Sequence, residues 1–207
     1  MIPPVRSWRG VTPGLPAAAA GQRIGLLGGS FNPAHAGHVQ ISRIARARLG
    51  LDRIWWLVSP GNPLKPARGL APLKQRAQSA AALRLPSFIC VTTLEATIGA
   101  RHSIETARFL RARYRGVKFV WLIGADNLVI FHRWRCWREL AATFPLAVID
   151  RPGAGLAAVA SRAARVLGRH RMEESDAQAL ALAAPPAWLI IHGPLSPLSS
   201  TAIRERP

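Results

Sequence analysis

The sequence predicts a doubly wound, Rossmann-like α/β domain: a mostly parallel sheet with helices on both faces. Three observations predict it. Short apolar runs alternate with helix-period stretches from residue 23 to the C-terminus. The apolar runs are continuous instead of alternating with polar residues, the mark of strands covered on both faces. The first run ends in Gly28-Gly29 and feeds a loop that enters a helical stretch. In such sheets ligands bind beyond the carboxyl ends of the strands.

Residues 1–22 read as a flexible N-terminal extension. They mix Pro3, Pro4, Pro13 and Pro16 with an alanine run at 17–20 and show no period, and no apolar stretch precedes the alanines as it does in a signal peptide. Residues 23–207 then form one domain. Residues 24–27 are the first strand, and 37–49 a helix with Val39, Ile41, Ile44, Ala45 and Leu49 on its apolar face. Residues 54–58 are a strand closed by Ser59-Pro60-Gly61-Asn62-Pro63, a loop signal. Residues 73–85 are helical, 88–92 a strand, and 103–114 a helix with Ser103 as its expected N-cap. Residues 117–123 make a strongly apolar strand ending at Gly124. A helix over 134–142, a strand over 146–149, helices over 156–169 and 173–182, a strand over 188–191 and a final helix over 200–206 complete the pattern.

Composition bounds the function. The chain of 207 residues has 49% hydrophobic residues, enough for a real core and too many for a wholly disordered chain. No uncharged apolar run approaches the ~18 residues a membrane span needs, so no membrane partner is expected. Cys90 and Cys136 are too few for a disulfide framework or a four-cysteine zinc site, and free thiols fit a reducing cytoplasm. Lys and Arg number 28 against 10 Asp and Glu, a net +18, and only Lys65, Lys74 and Lys118 are lysines. That balance suits phosphates, nucleotides or nucleic acid, and also follows from simple drift toward arginine. With so few carboxylates, a divalent ion is expected to arrive on a substrate phosphate instead of in a protein cage.

The loop Gly28-Gly29-Ser30-Phe31-Asn32-Pro33-Ala34-His35-Ala36-Gly37-His38 carries the chemistry. Two glycines allow a sharp turn and close approach of backbone to a ligand. The loop enters a helix whose N-terminal amides attract anions. His35 and His38 are one turn apart, so both imidazoles can meet one polyphosphate, and Gly37 leaves space between them. The loop is not a Walker loop, lacking Gly-Lys-Ser/Thr, nor a G-x-G-x-x-G dinucleotide turn, nor a zinc pair at i, i+4.

That loop resembles the GG-T/S-F-D/N-P-x-H-x-G-H signature of the nucleotidylyl transferase superfamily. Leu198-Ser199-Ser200-Thr201-Ala202-Ile203-Arg204 resembles its second signature, I-S-S-T-x-I-R. Three further segments are similar to the bacterial nicotinate mononucleotide adenylyltransferases: Gly61-Asn62-Pro63-Leu64-Lys65-Pro66 to G-x-P-P-H-K, Arg101-His102-Ser103-Ile104-Glu105-Thr106 to S-Y-T-x-D-T, and Ile123-Gly124-Ala125-Asp126-Asn127-Leu128 to I-G-A-D-x-L. Trp134 falls where that family has a tryptophan. The resemblance covers residues 23–206. Asn32, Leu64, His102 and Ser103 depart from the commoner residues.

The resemblance implies adenylyl transfer from ATP to nicotinate mononucleotide, with magnesium brought on the ATP. It implies that Gly28, Gly29, Ser30 and Phe31 line the nucleotide cleft, that His38 meets the α-phosphate and His35 the outer phosphates, and that Ser200, Thr201 and Arg204 hold the β- and γ-phosphates. His35, His38, Lys65 and Arg204 are its catalytic candidates. Lys65 neutralises developing charge and contacts the mononucleotide. Trp134 stacks on the nicotinate ring, His102 and Ser103 meet its carboxylate, and Gly124 and Asp126 sit where a ribose hydroxyl is bound. Weaker candidates are Glu105 and Arg151.

The plain readings stay open beside these: Lys65 as a solvated loop lysine, Asp126 as a helix N-cap, and Ser200-Thr201 as an ordinary cap. The acceptor alternatives are nicotinamide mononucleotide and phosphopantetheine. A basic nucleic-acid-binding protein is the alternative from another class. It is disfavoured because no RNA- or DNA-reading motif is present, so no specific nucleic acid partner is expected. A homo-oligomer is left open.

Overall fold

Among the described residues six strands, all parallel, stand in the order β3-β2-β1-β4-β5-β6. The computed structural model describes residues 8–61, 69–150, 153 and 155–193. The strands are β1 (Arg23–Gly29), β2 (Arg53–Val58), β3 (Ile89–Thr92), β4 (Lys118–Gly124), β5 (Leu146–Ile149) and β6 (Trp188–Ile191). The chain builds outward from β1 to β3, then returns to the other side of β1 with β4. The order therefore reverses between β1 and β4, the place where doubly wound sheets bind ligands beyond the strand ends.

The helices are α1 (Ala36–Leu49), α2 (Leu73–Ala82), α3 (Leu94–Thr97), α4 (Ser103–Arg113), α5 (Ala125–Ile130), α6 (Trp137–Thr143), α7 (Gly155–Val159) and α8 (Arg162–Val166). They explain the continuous apolar runs. Side chains of a strand alternate between faces, and both faces here are covered. Ile24, Leu26, Trp55, Phe119 and Trp121 enter one core layer beneath α4 to α8. Leu27, Ile54, Trp56, Val120 and Leu122 enter the other, beneath α1 and α2. Trp55, Trp56, Trp121 and Trp188 are fully buried. Each removes on the order of 200 Å² from water, worth roughly 5 kcal/mol before the cost of ordering the chain. Glycine at 25 has a packing reason: a Cβ there would stand 2.8 Å from both Leu122 Cδ1 and Leu51 Cδ1.

Several expectations need correction. The extension does not hang loose over residues 8–22. The Thr12 amide donates to Val91 O at 2.8 Å, Thr92 Oγ1 donates to Gly14 O at 3.0 Å and Tyr114 Oη donates to Pro16 O at 2.7 Å. Val11 is buried. The reason is the free edge of β3, whose unpaired backbone groups are satisfied by this proline-rich, extended segment.

The N-cap of α4 is His102, and Ser103 is the first helical residue. The helix expected over 134–142 begins at Trp137. Chain immediately after β4 is instead helical as α5 and a 3-10 turn Phe131–Arg133. Residues 156–169 are broken at Ser161, whose side chain caps α8 through the Ala164 amide at 3.2 Å. The segment Glu174–Leu182 is a 3-10 helix with a kink at Asp176. The final helix over 200–206 lies outside the described residues. Among the described residues no helix is long and apolar enough to cross a membrane.

Candidate active site

The turn after β1 and the start of α1 form the centre of the site. Phe31 takes a left-handed backbone, φ +47°, which reverses the chain after the glycines. Its ring is buried and stacks on Trp56 with centroids 5.0 Å apart and planes 20° off parallel. His38 packs on the same ring at 4.8 Å. Gly28 has no described atom within 4 Å of a built Cβ, and its φ is not in the left-handed range. Among the described residues, neither neighbours nor backbone demand glycine there.

His35 is the N-cap of α1 and is buried. Its Nδ1 accepts from the Gly37 amide at 3.2 Å, while the His35 amide donates to Nδ1 of His38 at 3.3 Å. The ring centroids are 4.0 Å apart. A neutral imidazole that accepts at Nδ1 carries its proton on Nε2, the donor a phosphate oxygen needs. The pair is braced from behind. Trp56 Nε1 donates to Ser42 Oγ at 2.8 Å, and Ser42 Oγ donates to His38 O at 2.9 Å. No acid lies in the first turn of α1, so no carboxylate of that turn opposes the positive end of the helix.

Behind the turn lies Arg76 of α2, a buried guanidinium whose described partners are all carbonyls. It donates to Ser30 O at 2.6 Å, Ser59 O at 2.8 Å, Pro60 O at 3.3 Å and Ala71 O at 2.7 Å. Burial pulls its pKa below the ordinary arginine value. Asn32 adds a second tie, donating to Gly69 O at 2.9 Å and accepting from the Ala71 amide at 3.4 Å. Arg76, Trp56 and Ser42 were not among the sequence candidates. Arg76 had a legible signal: it stands on the apolar face of its helix, between Leu73 and Ala77 and Ala80.

A second group forms around the N-terminus of α4. Glu105 Oε2 accepts from the amides of Arg101 at 2.8 Å and His102 at 3.3 Å, fixing the turn. These backbone donors, with Arg135 and His102 nearby, hold the exposed carboxyl below its usual range. Trp134 has extended backbone, φ −72° and ψ 140°, and its half-buried ring packs edge-on against Phe131 at 5.3 Å. Gly124 is the N-cap of α5, so the expected cap role of Asp126 does not hold; Asp126 is exposed in the first turn. Gly124 and Asp126 stand at the end of β4, across the order reversal from Gly28 and Gly29.

Lys65, Ser200, Thr201, Arg204 and Arg151 lie outside the described residues. The last described residue, Gly193, sits against Ile44 of α1, the helix that carries the two histidines. Among the described residues no three His, Cys, Asp or Glu side chains are grouped to hold a metal ion.

Comparison with known proteins adds an independent line. The model of the cytidylyltransferase-like family matches residues 26–206. A protein of Methylorubrum extorquens (strain PA1) named "Probable nicotinate-nucleotide adenylyltransferase" is 53% identical over 184 residues, covering 89% of this chain and 100% of the relative. A protein of the same name from Rhizobium meliloti (strain 1021) is 50% identical over 182 residues, covering 88% of this chain and 97% of the relative. Among solved structures, the nicotinic acid mononucleotide adenylyltransferase of Plasmodium falciparum complexed with NaAD superposes with a TM-score of 0.66 at 16% identity, covering 89% of this chain and 83% of its own. That last likeness concerns the fold.

Proposed function

The chain belongs to the cytidylyltransferase-like family, and we propose that it transfers the adenylyl group of ATP to nicotinate mononucleotide, giving nicotinate adenine dinucleotide and pyrophosphate. The observation that carries this reading is the pair His35 and His38, with Nδ1 atoms engaged by backbone amides at the start of α1, beside Gly28, where a built Cβ would meet no described atom within 4 Å.

The chemistry needs little more than position and charge. The phosphate of the mononucleotide is already an anion near neutral pH and attacks the α-phosphorus in line. The new P–O bond forms as the bond to the β-phosphate oxygen breaks, and pyrophosphate takes the electron pair. No general base is required. The protein holds two anions together and stabilises the charge that grows on the α-phosphate and the leaving group.

On this reading His38 donates through Nε2 to the α-phosphate and His35 to the outer phosphates. The turn at Gly28, Gly29, Ser30 and Phe31 lets the nucleotide lie against backbone. Ser200, Thr201 and Arg204 close on the β- and γ-phosphates, and Lys65 adds charge near the reacting groups. Trp134 stacks on the pyridine ring, and His102 and Ser103 meet its carboxylate. Asp126 binds a ribose hydroxyl beyond β4. Magnesium on the triphosphate would neutralise part of its charge. Two free thiols, Cys90 and Cys136, fit a cytoplasmic setting.

The test is pyrophosphate release with ATP, magnesium and one of three acceptors: nicotinate mononucleotide, its amide, or phosphopantetheine. Release with nicotinate mononucleotide well above the other two is expected. Equal release with the amide overturns the acid preference, and release with phosphopantetheine alone overturns the pyridine reading.

A further inference from the structure

We propose that Arg76 is a positioning residue that locks the phosphate-binding turn after β1 to both ends of the segment carrying Lys65. The proposal rests on the adenylyl-transfer reading of the site. Its basis is the set of carbonyls that one side chain gathers. Ser30 belongs to the turn after β1. Ser59 and Pro60 precede Lys65, and Ala71 follows it. The Ser59 amide also donates to Gly29 O at 2.9 Å, so the turn and the first stem are joined by backbone as well. Asn32 ties the turn to Gly69 and Ala71 on the far stem.

The choice of residue type is informative. Burying a guanidinium among neutral carbonyls is costly, and filling the same space with an apolar side chain would serve packing alone. Arginine offers a planar fork of five donors, which can serve carbonyls in several directions at once; lysine cannot. The charge also stays just beneath the turn, where a polyphosphate would feel it through the protein. A misplacement of the turn by about 1 Å is enough to cost on the order of 10²-fold in rate.

The experiment compares the wild type with Arg76→Lys and Asn32→Ala in the full chain, reading kcat, both KM values and Tm. The expected result for Arg76→Lys is a KM for ATP raised and kcat/KM for ATP lowered by roughly 10- to 100-fold. The KM for nicotinate mononucleotide should rise too, through Lys65, but by less than the KM for ATP, because the described hydrogen-bond partners of Arg76 lie on the turn and the two stems and none on α4 or at Trp134. Asn32→Ala shifts the same constants in the same direction by less. A purely structural role lowers Tm and the active fraction and leaves both KM values unchanged. That pattern in either folded variant overturns the proposal. If Arg76→Lys does not fold, the outcome for Asn32→Ala decides. A wild type inactive with every acceptor overturns the adenylyl-transfer reading itself.

Discussion

The backbone amide of His35 donates to Nδ1 of His38 at 3.3 Å, so the first histidine sets the ring of the second. The contact links a helix cap to a candidate catalytic group. It also decides the tautomer, since a neutral ring accepting at Nδ1 presents its proton at Nε2.

Replacing His38 by alanine is therefore expected to lower kcat by on the order of 10²–10³, the effect of losing one preorganised donor. Steady-state pyrophosphate release measures it. Tm should move little, because the ring is half-buried and its loss leaves Phe31 stacked on Trp56. Turnover near that of the wild type would remove His38 from the mechanism.

Trp134→Ala is expected to raise the KM for nicotinate mononucleotide by roughly tenfold, the ~1–3 kcal/mol scale of base-on-aromatic stacking. The KM for ATP should hold, since the described ring contact of Trp134 is with Phe131, whereas His38 of the histidine pair packs with Phe31 and Trp56. An effect confined to ATP contradicts the assignment.

Glu95 supplies a pH dependence of stability. Burial pushes its carboxyl from 4.5 up to about 7, partly opposed by the Thr106 hydroxyl, which donates to Oε1 at 3.2 Å. Below pH 4.5 folded and unfolded chains both carry the proton, and the contribution is fully present. As pH rises through 7 the folded state must lose its proton in a buried setting, and the contribution is lost. The cost above pH 7 is on the order of 3 kcal/mol. Glu95→Gln removes it, so the stability of the variant relative to wild type should climb between pH 4.5 and 7 and then level off. Denaturant melts across that range give the difference, and a flat difference contradicts it.

Removing residues 1–20 should destabilise the domain. The truncation strips partners from Thr92 and Tyr114, exposes the β3 edge and releases the buried Val11. A loss of about 2–4 kcal/mol is expected, or roughly 5–15 °C in Tm. A truncated chain that melts at the wild-type temperature would show the packed segment to be energetically idle.

The strands were legible because burial on both faces writes itself into the chain as unbroken runs such as Ile54–Val58 and Val120–Ile123. The order reversal beside β1 fits the same doubly wound plan. Helix ends were less legible. His102 caps α4 because Glu105 reaches back to its amide, and Trp134 lies between two helices because the chain after Gly124 turns at once into α5. These are contests between local signals of similar strength, settled by packing.

The motif from Gly28 to His38 was readable from sequence alone, since glycine freedom, a helix start and two imidazoles one turn apart are local properties. What braces it was not. Trp56 and Ser42 are 14 residues apart and share a hydrogen bond only because β2 lies beside β1 under α1. Arg76 is 46 residues from Ser30 and reads as one more cation in a chain of net charge +18. The sequence by itself determined which local conformations are cheap and which faces must leave water. Only the tertiary structure decided which distant donors meet which carbonyls, because that depends on chain crossings no local pattern records.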